Sequence, residues 1–351
     1  TPESKVRTPG DGSDSDSDIA AHRKYNDISA DHGKMHDVDV AVESTNRNTT
    51  FDSGIGVDWS KMNNVVSSHD SFTNFLDKDG PISPGEPKSL KDLAKVFGMF
   101  VKDIIQKWSA TQSFTPRQQL EAGIRYFDIR ISTKPGHDDL YIVHGLYGLT
   151  VSSVLAEIKE FLDEHPKEVI MIDFNHFYDM TPEMHLSCME LIESTFAEKL
   201  CPFLDTESLC LETFWESNLQ VIAFYQNPLA EENMVFWPAS SITSPWPNVT
   251  EVDEMLSRLE IDYEQGRPRD KFYVTQGILT PDVSFILSHI GGSIEKTLAE
   301  KVAKSVAFWL EKKHCGLKKG INICIIDFVQ CAEFIPIVVN LNLKSTDVMY
   351  Q

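Results

Sequence analysis

Several apolar runs in this chain do not alternate with polar residues. "EVIMIDFNHF" (168–177), "LQVIAFY" (219–225) and "INICIIDFV" (321–329) are apolar almost throughout. A strand of that kind is buried on both faces, as in parallel sheets covered by helices. Amphipathic stretches separate the runs. "VSSVLAEIKEFLDEH" reads as a helix ending before Pro166, and "TPEMHLSCMELIESTFAEKL" as a helix with Thr181 as cap and Pro182 in its first turn. "SLKDLAKVFGMFVKDIIQKW" reads as one helix. With "NNVV", "IRYFDIRIS", "LYIVHG" and "FYVTQGIL", seven strand candidates stand in βα alternation. This predicts an α/β fold, a TIM-like (β/α) barrel. An open doubly wound sheet is the alternative, but no glycine-rich dinucleotide fingerprint supports it.

Composition bounds the rest. The 351 residues are 41% hydrophobic, enough for a large core, and carry a net charge of −21, which argues against nucleic-acid binding. Residues 1–57 contain "DGSDSDSD" and little apolar periodicity, and read as a disordered acidic tail; the barrel is expected over 58–345. None of the six cysteines pairs as Cys-x-x-Cys, so reduced thiols are expected rather than a disulfide framework or zinc site. No apolar run is long enough to span a bilayer and no secretory leader is read, which predicts a cytoplasmic protein. Asn48-Thr49-Thr50 and Asn248-Val249-Thr250 match the glycosylation pattern but mean little without a secretory route.

Active-site groups of such a barrel belong at the C-terminal ends of strands. His69-Asp70 follows the first strand candidate. Asp128 and Arg130 lie two apart, on one face of the second. His144 ends the third, Asp173 and Asn175 the fourth, Gln276 ends "FYVTQ" and Asp327 ends "INICIID". His176, next to Asn175, is expected on the opposite face. A charge inside a covered sheet costs several kcal/mol, of order, unless paired. A collection of one arginine, two histidines and several aspartates therefore reads as a site rather than packing. An arginine fork fits a phosphate. One imidazole takes a proton from an attacking hydroxyl, and the other gives a proton to a leaving alkoxide. A carboxylate beside each fixes its tautomer. These groups suffice to cut a phosphodiester by an internal hydroxyl, without a metal or other cofactor.

In that order, "SSHDSF", "GIRYFDIRIS", "YIVHGLYG", "EVIMIDFNHFY" and "INICIIDFVQ" resemble the X region of phosphatidylinositol-specific phospholipase C. The likeness is to the eukaryotic X-domain-containing proteins, which carry the X barrel alone, and it covers about residues 58–345. The resemblance implies a distorted TIM-like barrel of the phospholipase C phosphodiesterase type that cleaves phosphatidylinositol to diacylglycerol and an inositol cyclic phosphate. It implies His69 as general base for the inositol 2-hydroxyl and His144 as general acid for the diacylglycerol oxygen. Arg130 binds the phosphate, Asp327 orients His69, Asp70 supports His144, and Asp128 holds Arg130. Asn175 and Gln276 are candidates for the inositol hydroxyls. The calcium-dependent signalling enzymes differ in carrying Asn after the first histidine and Glu and Asp in the second-strand motif. Arg130 instead puts a fixed positive charge where their calcium would sit, so no metal is expected. The bacterial lysine after the fourth strand is replaced by Asp173 and Asn175.

A phosphoinositide substrate requires transient contact with a membrane. "VFWPASSITSPWPNV" (235–249) places Trp237 and Trp246 on the expected rim, where aromatic side chains suit the lipid interface. Packing on the barrel is the other reading of those tryptophans. Two functional alternatives stand beside the metal-independent enzyme: a metal-dependent phosphodiesterase on a similar barrel, and an inactive inositol-lipid-binding protein.

Overall fold

A computed structural model of the chain describes residues 64–204, 209–316 and 320–344, so the expected acidic tail lies outside the described residues. In chain order the main elements are β1 (Val65–Ser68), α1 (Lys88–Phe97), α2 (Met99–Ser109), α3 (Pro116–Glu121), β2 (Tyr126–Thr133), β3 (Leu140–His144), β4 (Leu146–Thr150), α4 (Val151–Glu164) and β5 (Ile170–Tyr178). They continue with α5 (Pro182–Phe196), α6 (Leu211–Glu216), β6 (Val221–Tyr225), β7 (Ile242–Thr243), α7 (Val252–Gln265), β8 (Phe272–Gln276), α8 (Val283–Ser288), α9 (Glu300–Leu310), β9 (Ile323–Ile326) and α10 (Phe334–Lys344).

Seven strands are parallel: β7, β8, β9, β1, β2, β5 and β6 are linked in that order, with one gap in pairing between β6 and β7. At that gap the chain around Trp237 lies along β6 through Tyr225 N–H to Trp237 O (3.0 Å) and Trp237 N–H to Ala223 O (2.9 Å). The result is the distorted α/β barrel that the apolar runs predict. Its interior below the site is filled by alternate strand residues, among them Tyr126, Met171, Phe224, Phe272, Val274 and Ile325.

Three expectations change. The segment 140–144 is not a parallel barrel strand: β3 pairs antiparallel with β2 and with β4, forming a hairpin at the barrel's side. The long helix is broken at Gly98, whose φ of +53° ends α1 and redirects the chain into α2. Trp237 is fully buried and is no membrane contact: its Nε1 donates to Cys201 O (3.0 Å), and its ring meets Phe203, Phe224 and Phe272 edge-on. Trp246 is exposed, with its Nε1 on Thr280 Oγ1 (2.9 Å). All six cysteines are free thiols. No helix among the described residues is long and apolar enough to cross a membrane.

Candidate active site

Strand register builds the site. Ser68 of β1 is level with Phe127 of β2 and with Ile326 of β9, and Asp128 is level with Asp173 of β5. The residues at or just past this level are Asp327, His69, Asp128 and Asp173, one from each of four adjacent strands, and all are buried. The apolar layers beneath them come from the same strands, so the alternation that makes the core also lifts these polar side chains to its upper edge.

His69 is fixed at both ring nitrogens. Nδ1 is 2.6 Å from Asp327 Oδ1, while Nε2 faces Asp70 Oδ2 at 3.3 Å and Asp128 Oδ2 at 3.9 Å. Its carbonyl accepts from Gln112 Nε2 (3.0 Å), which also donates to Ile326 O (3.0 Å) and so clamps β1 to β9. Burial alone would strip its proton, but Asp70, Asp327 and Asp128 outweigh that cost and raise its pKa to about 9.

Asp70 is the centre of the cluster. Its φ of +39° is unusual for a residue with a side chain and turns the carboxylate back over the barrel. Oδ1 lies 2.5 Å from Arg130 Nε, and Oδ2 lies 3.3 Å from both His69 Nε2 and His144 Nε2. These are ion-pair contacts without directed hydrogen-bond geometry. Burial opposes the charge, yet Arg130, His144, His69 and His176 hold the carboxyl well below the usual range. Asp128 does not pair with Arg130 as expected. Its Oδ2 accepts the Asp70 backbone N–H (3.1 Å) and its Oδ1 accepts from Asn175 Nδ2. Arg130 itself stays charged against its burial, aided chiefly by the neighbouring charges of Asp70 and Asp128.

His144 enters from the β3–β4 hairpin. Its Nδ1–H donates to Ser109 O at the end of α2 (2.7 Å), which leaves Nε2 toward Asp70. Gly145 makes this possible. Its φ is +71°, and a Cβ there would lie 2.3 Å from Ser109 Oγ and 2.7 Å from Ile105 Cγ2.

Other candidates fall differently. Asp173 accepts from Tyr126 Oη (2.7 Å) and from Gln226 Nε2 (2.8 and 3.0 Å), and burial raises its pKa to about 7. The amide of Asn175 is spent on Asp128 and Asp173. Gln276 ends β8, but its amide is held by Ser244 O (3.1 Å) and Oγ (2.8 Å), beside a cleft lined by Arg267 and Tyr273 and not by His69, Arg130 or His144. His176 is on the site's side and not opposite it. Tyr126, Gln226, Tyr178 and the Ser109 carbonyl carry no sequence signal of their own. Each is found only once the strands are in register.

The donor atoms of His69, Asp70 and Asp128 lie within 4.8 Å of one another and are the set among the described residues able to gather a metal ion. The fit is poor. A cation there would face the guanidinium that already contacts Asp70 and would need the site on His69 that carries a proton.

Comparison with known proteins gives the family and the fold. The family model described as "Phosphatidylinositol-specific phospholipase C, X domain" matches residues 103–214. PI-PLC X domain-containing protein 2 of Mus musculus is 40% identical over 281 residues, covering 79% of this chain and 82% of that one. The chain belongs to the PI-PLC X domain-containing family. Protein 3 of Danio rerio is 36% identical over 285 residues, covering 81% of this chain and 88% of the relative. Among solved structures, the phosphatidylinositol-specific phospholipase C from Listeria monocytogenes is similar in fold, with a TM-score of 0.52, 18% identity and coverage of 82% of this chain and 95% of that one.

Proposed function

We propose that this X-domain protein is a phosphodiesterase that cleaves phosphatidylinositol without a metal. The observation that carries the reading is Asp70: one buried carboxylate in contact with two imidazole Nε2 atoms and a guanidinium. Two proton-transfer groups and one phosphate-binding cation thus converge on a single point.

In the proposed reaction Arg130 holds the non-bridging phosphate oxygens and the charge that grows on them. Neutral His69 takes the proton of the inositol 2-hydroxyl at Nε2 while Asp327 holds Nδ1. The hydroxyl oxygen bonds to phosphorus. The bond from phosphorus to the diacylglycerol oxygen breaks, and His144 Nε2–H supplies that oxygen's proton. The products are diacylglycerol and an inositol cyclic phosphate. Asp70 keeps both rings and Arg130 in place and favours the imidazolium that forms on His69.

Contact with a lipid surface is part of the reading. Support comes from the connections that leave the C-terminal ends of β1, β7 and β8. They expose Val96, Phe97, Met99 and Phe100 at the α1–α2 corner, Trp246, and Val283 and Leu287 of α8. Residues 88–107 carry five lysines against two aspartates in an otherwise acidic chain, which suits an anionic surface. This apolar rim replaces Trp237 as the membrane contact.

The test is diacylglycerol release from phosphatidylinositol vesicles in EDTA, beside His69→Ala and His144→Ala. Activity in EDTA that both substitutions abolish supports the reading. Release that requires calcium overturns it in favour of a metal site, and no release under either condition favours a binding protein.

A further inference from the structure

The β2–β5 pair contains an irregularity with a chemical consequence. The strands run level from Tyr126 and Met171 to Ile129 and Phe174, but Arg130 then pairs with His176. Asn175 is therefore the extra residue of a bulge. Without it the period of two would put His176 on the far side of the sheet. With it, His176 and Tyr178 stand level with Arg130 and Ser132, on the side of the catalytic cluster.

Asn175 also sets the tautomer of that third histidine. Its Nδ2 donates to Asp128 Oδ1 and to Asp173 Oδ2 (3.4 Å), so its Oδ1 is an acceptor, 2.7 Å from His176 Nδ1. Nδ1 must then carry the hydrogen, and Nε2 presents a lone pair. Nε2 makes no hydrogen bond among the described residues, and the ring is exposed at the mouth of the site. Burial of its inner edge and the neighbouring Arg130 charge lower its pKa despite the pull of Asp128 and Asp70, which keeps the ring neutral. Tyr178 lies beyond it, rings near-parallel at 6.4 Å.

A neutral acceptor level with a phosphate-binding arginine has a natural complement, a hydroxyl donor attached close to that phosphate. We propose that His176 Nε2 accepts a hydrogen bond from a ring hydroxyl of the polyol phosphodiester held by Arg130. His176 thereby selects a hydroxylated headgroup over one that offers only a phosphate. The inference rests on the proposed phosphodiester site, but it concerns binding and does not require turnover.

The experiment measures binding of two soluble diesters by calorimetry: glycerophosphoinositol, and an analogue with cyclohexanol in place of inositol. The proteins are the wild type, His176→Phe, which keeps a ring without the acceptor, and His176→Gln, which restores an acceptor oxygen; thermal unfolding checks that each is folded. The wild type prefers the inositol diester. His176→Phe loses about tenfold of that preference, the worth of one hydrogen bond to a polar partner, without weakening the cyclohexyl diester, and His176→Gln recovers most of it. Equal preference in wild type and His176→Phe overturns the proposal, as does a wild type that binds neither diester. Failure of the catalytic reading is separate: selective binding that depends on His176, with no diacylglycerol release, overturns the proposed reaction and leaves this role standing.

Discussion

His69 and Asp327 are 258 residues apart in sequence and 2.6 Å apart in space, each just past the end of neighbouring parallel strands that meet in register at Ser68 and Ile326. The contact fixes which imidazole nitrogen is free. Asp327→Ala leaves His69 unoriented and partly uncompensated. Phosphatidylinositol cleavage is expected to fall by about 10²–10⁴-fold, as for loss of an oriented proton-transfer group, with vesicle binding retained. Loss of less than tenfold would separate Asp327 from the reaction.

The pH profile follows from the same carboxylates. In the proposed reaction His69 must be neutral and His144 proton-bearing, so the rate follows two titrations at once; the His69 step is read directly as its neutral fraction, which imidazole NMR should show climbing through a midpoint of about 9. Asp327→Asn removes one of the raising charges and should move that climb to lower pH. An ascending limb centred near 6.5 in the wild type would show that the carboxylates do not hold the proton.

Stability carries the opposite sign. The folded state binds the His69 proton more tightly than the unfolded chain, whose ordinary value is 6.5. The contribution is full below about 6.5 and is lost as pH rises through about 9. Melting temperature should therefore drop between pH 6.5 and 9.5 in the wild type and drop less in His69→Gln, whose side chain does not titrate.

Arg130→Lys keeps the charge but not the fork. Activity is expected to fall about 10²-fold or more, as on losing a donor to the developing phosphate charge. Near-normal turnover in the lysine variant would mean that a point charge suffices.

Gly145→Ala tests the seat of His144. The new methyl collides with Ser109 and Ile105 and sits at a positive φ, so a cost of about 1–3 kcal/mol is expected from overpacking, with a further ~1–2 from the backbone. Activity should fall more than folding does, because the Ser109 carbonyl that orders His144 is displaced. A fully active, equally stable variant would contradict the close approach.

The sequence was most legible where burial dictated composition. Apolar runs such as Ile170–Phe174 marked parallel strands, and the polar residues at their ends, His69, Arg130, Asp128 and Asp327, meet as the barrel rule requires. Two kinds of feature stayed hidden. A bulge changes face without changing composition, so strict alternation put His176 on the wrong side. Likewise, an antiparallel hairpin and a parallel strand share the same apolar residues, so nothing in "LYIVHG" says that His144 reaches the site from the side, held by a backbone carbonyl of α2. Trp237 misled for a third reason. Proline-rich surroundings read as a rim loop, but its indole N–H finds a partner in Cys201 O and the ring can be buried whole.

The pairing of β1 with β9 has a consequence in time. One is the first described strand and the other the last, so their contact closes a loop of nearly the whole domain and is among the most non-local in the fold. His69 has no Asp327 carboxylate beside it until that closure occurs. The register of these two strands makes the His69–Asp327 pair depend on a closure that spans nearly all of the described domain.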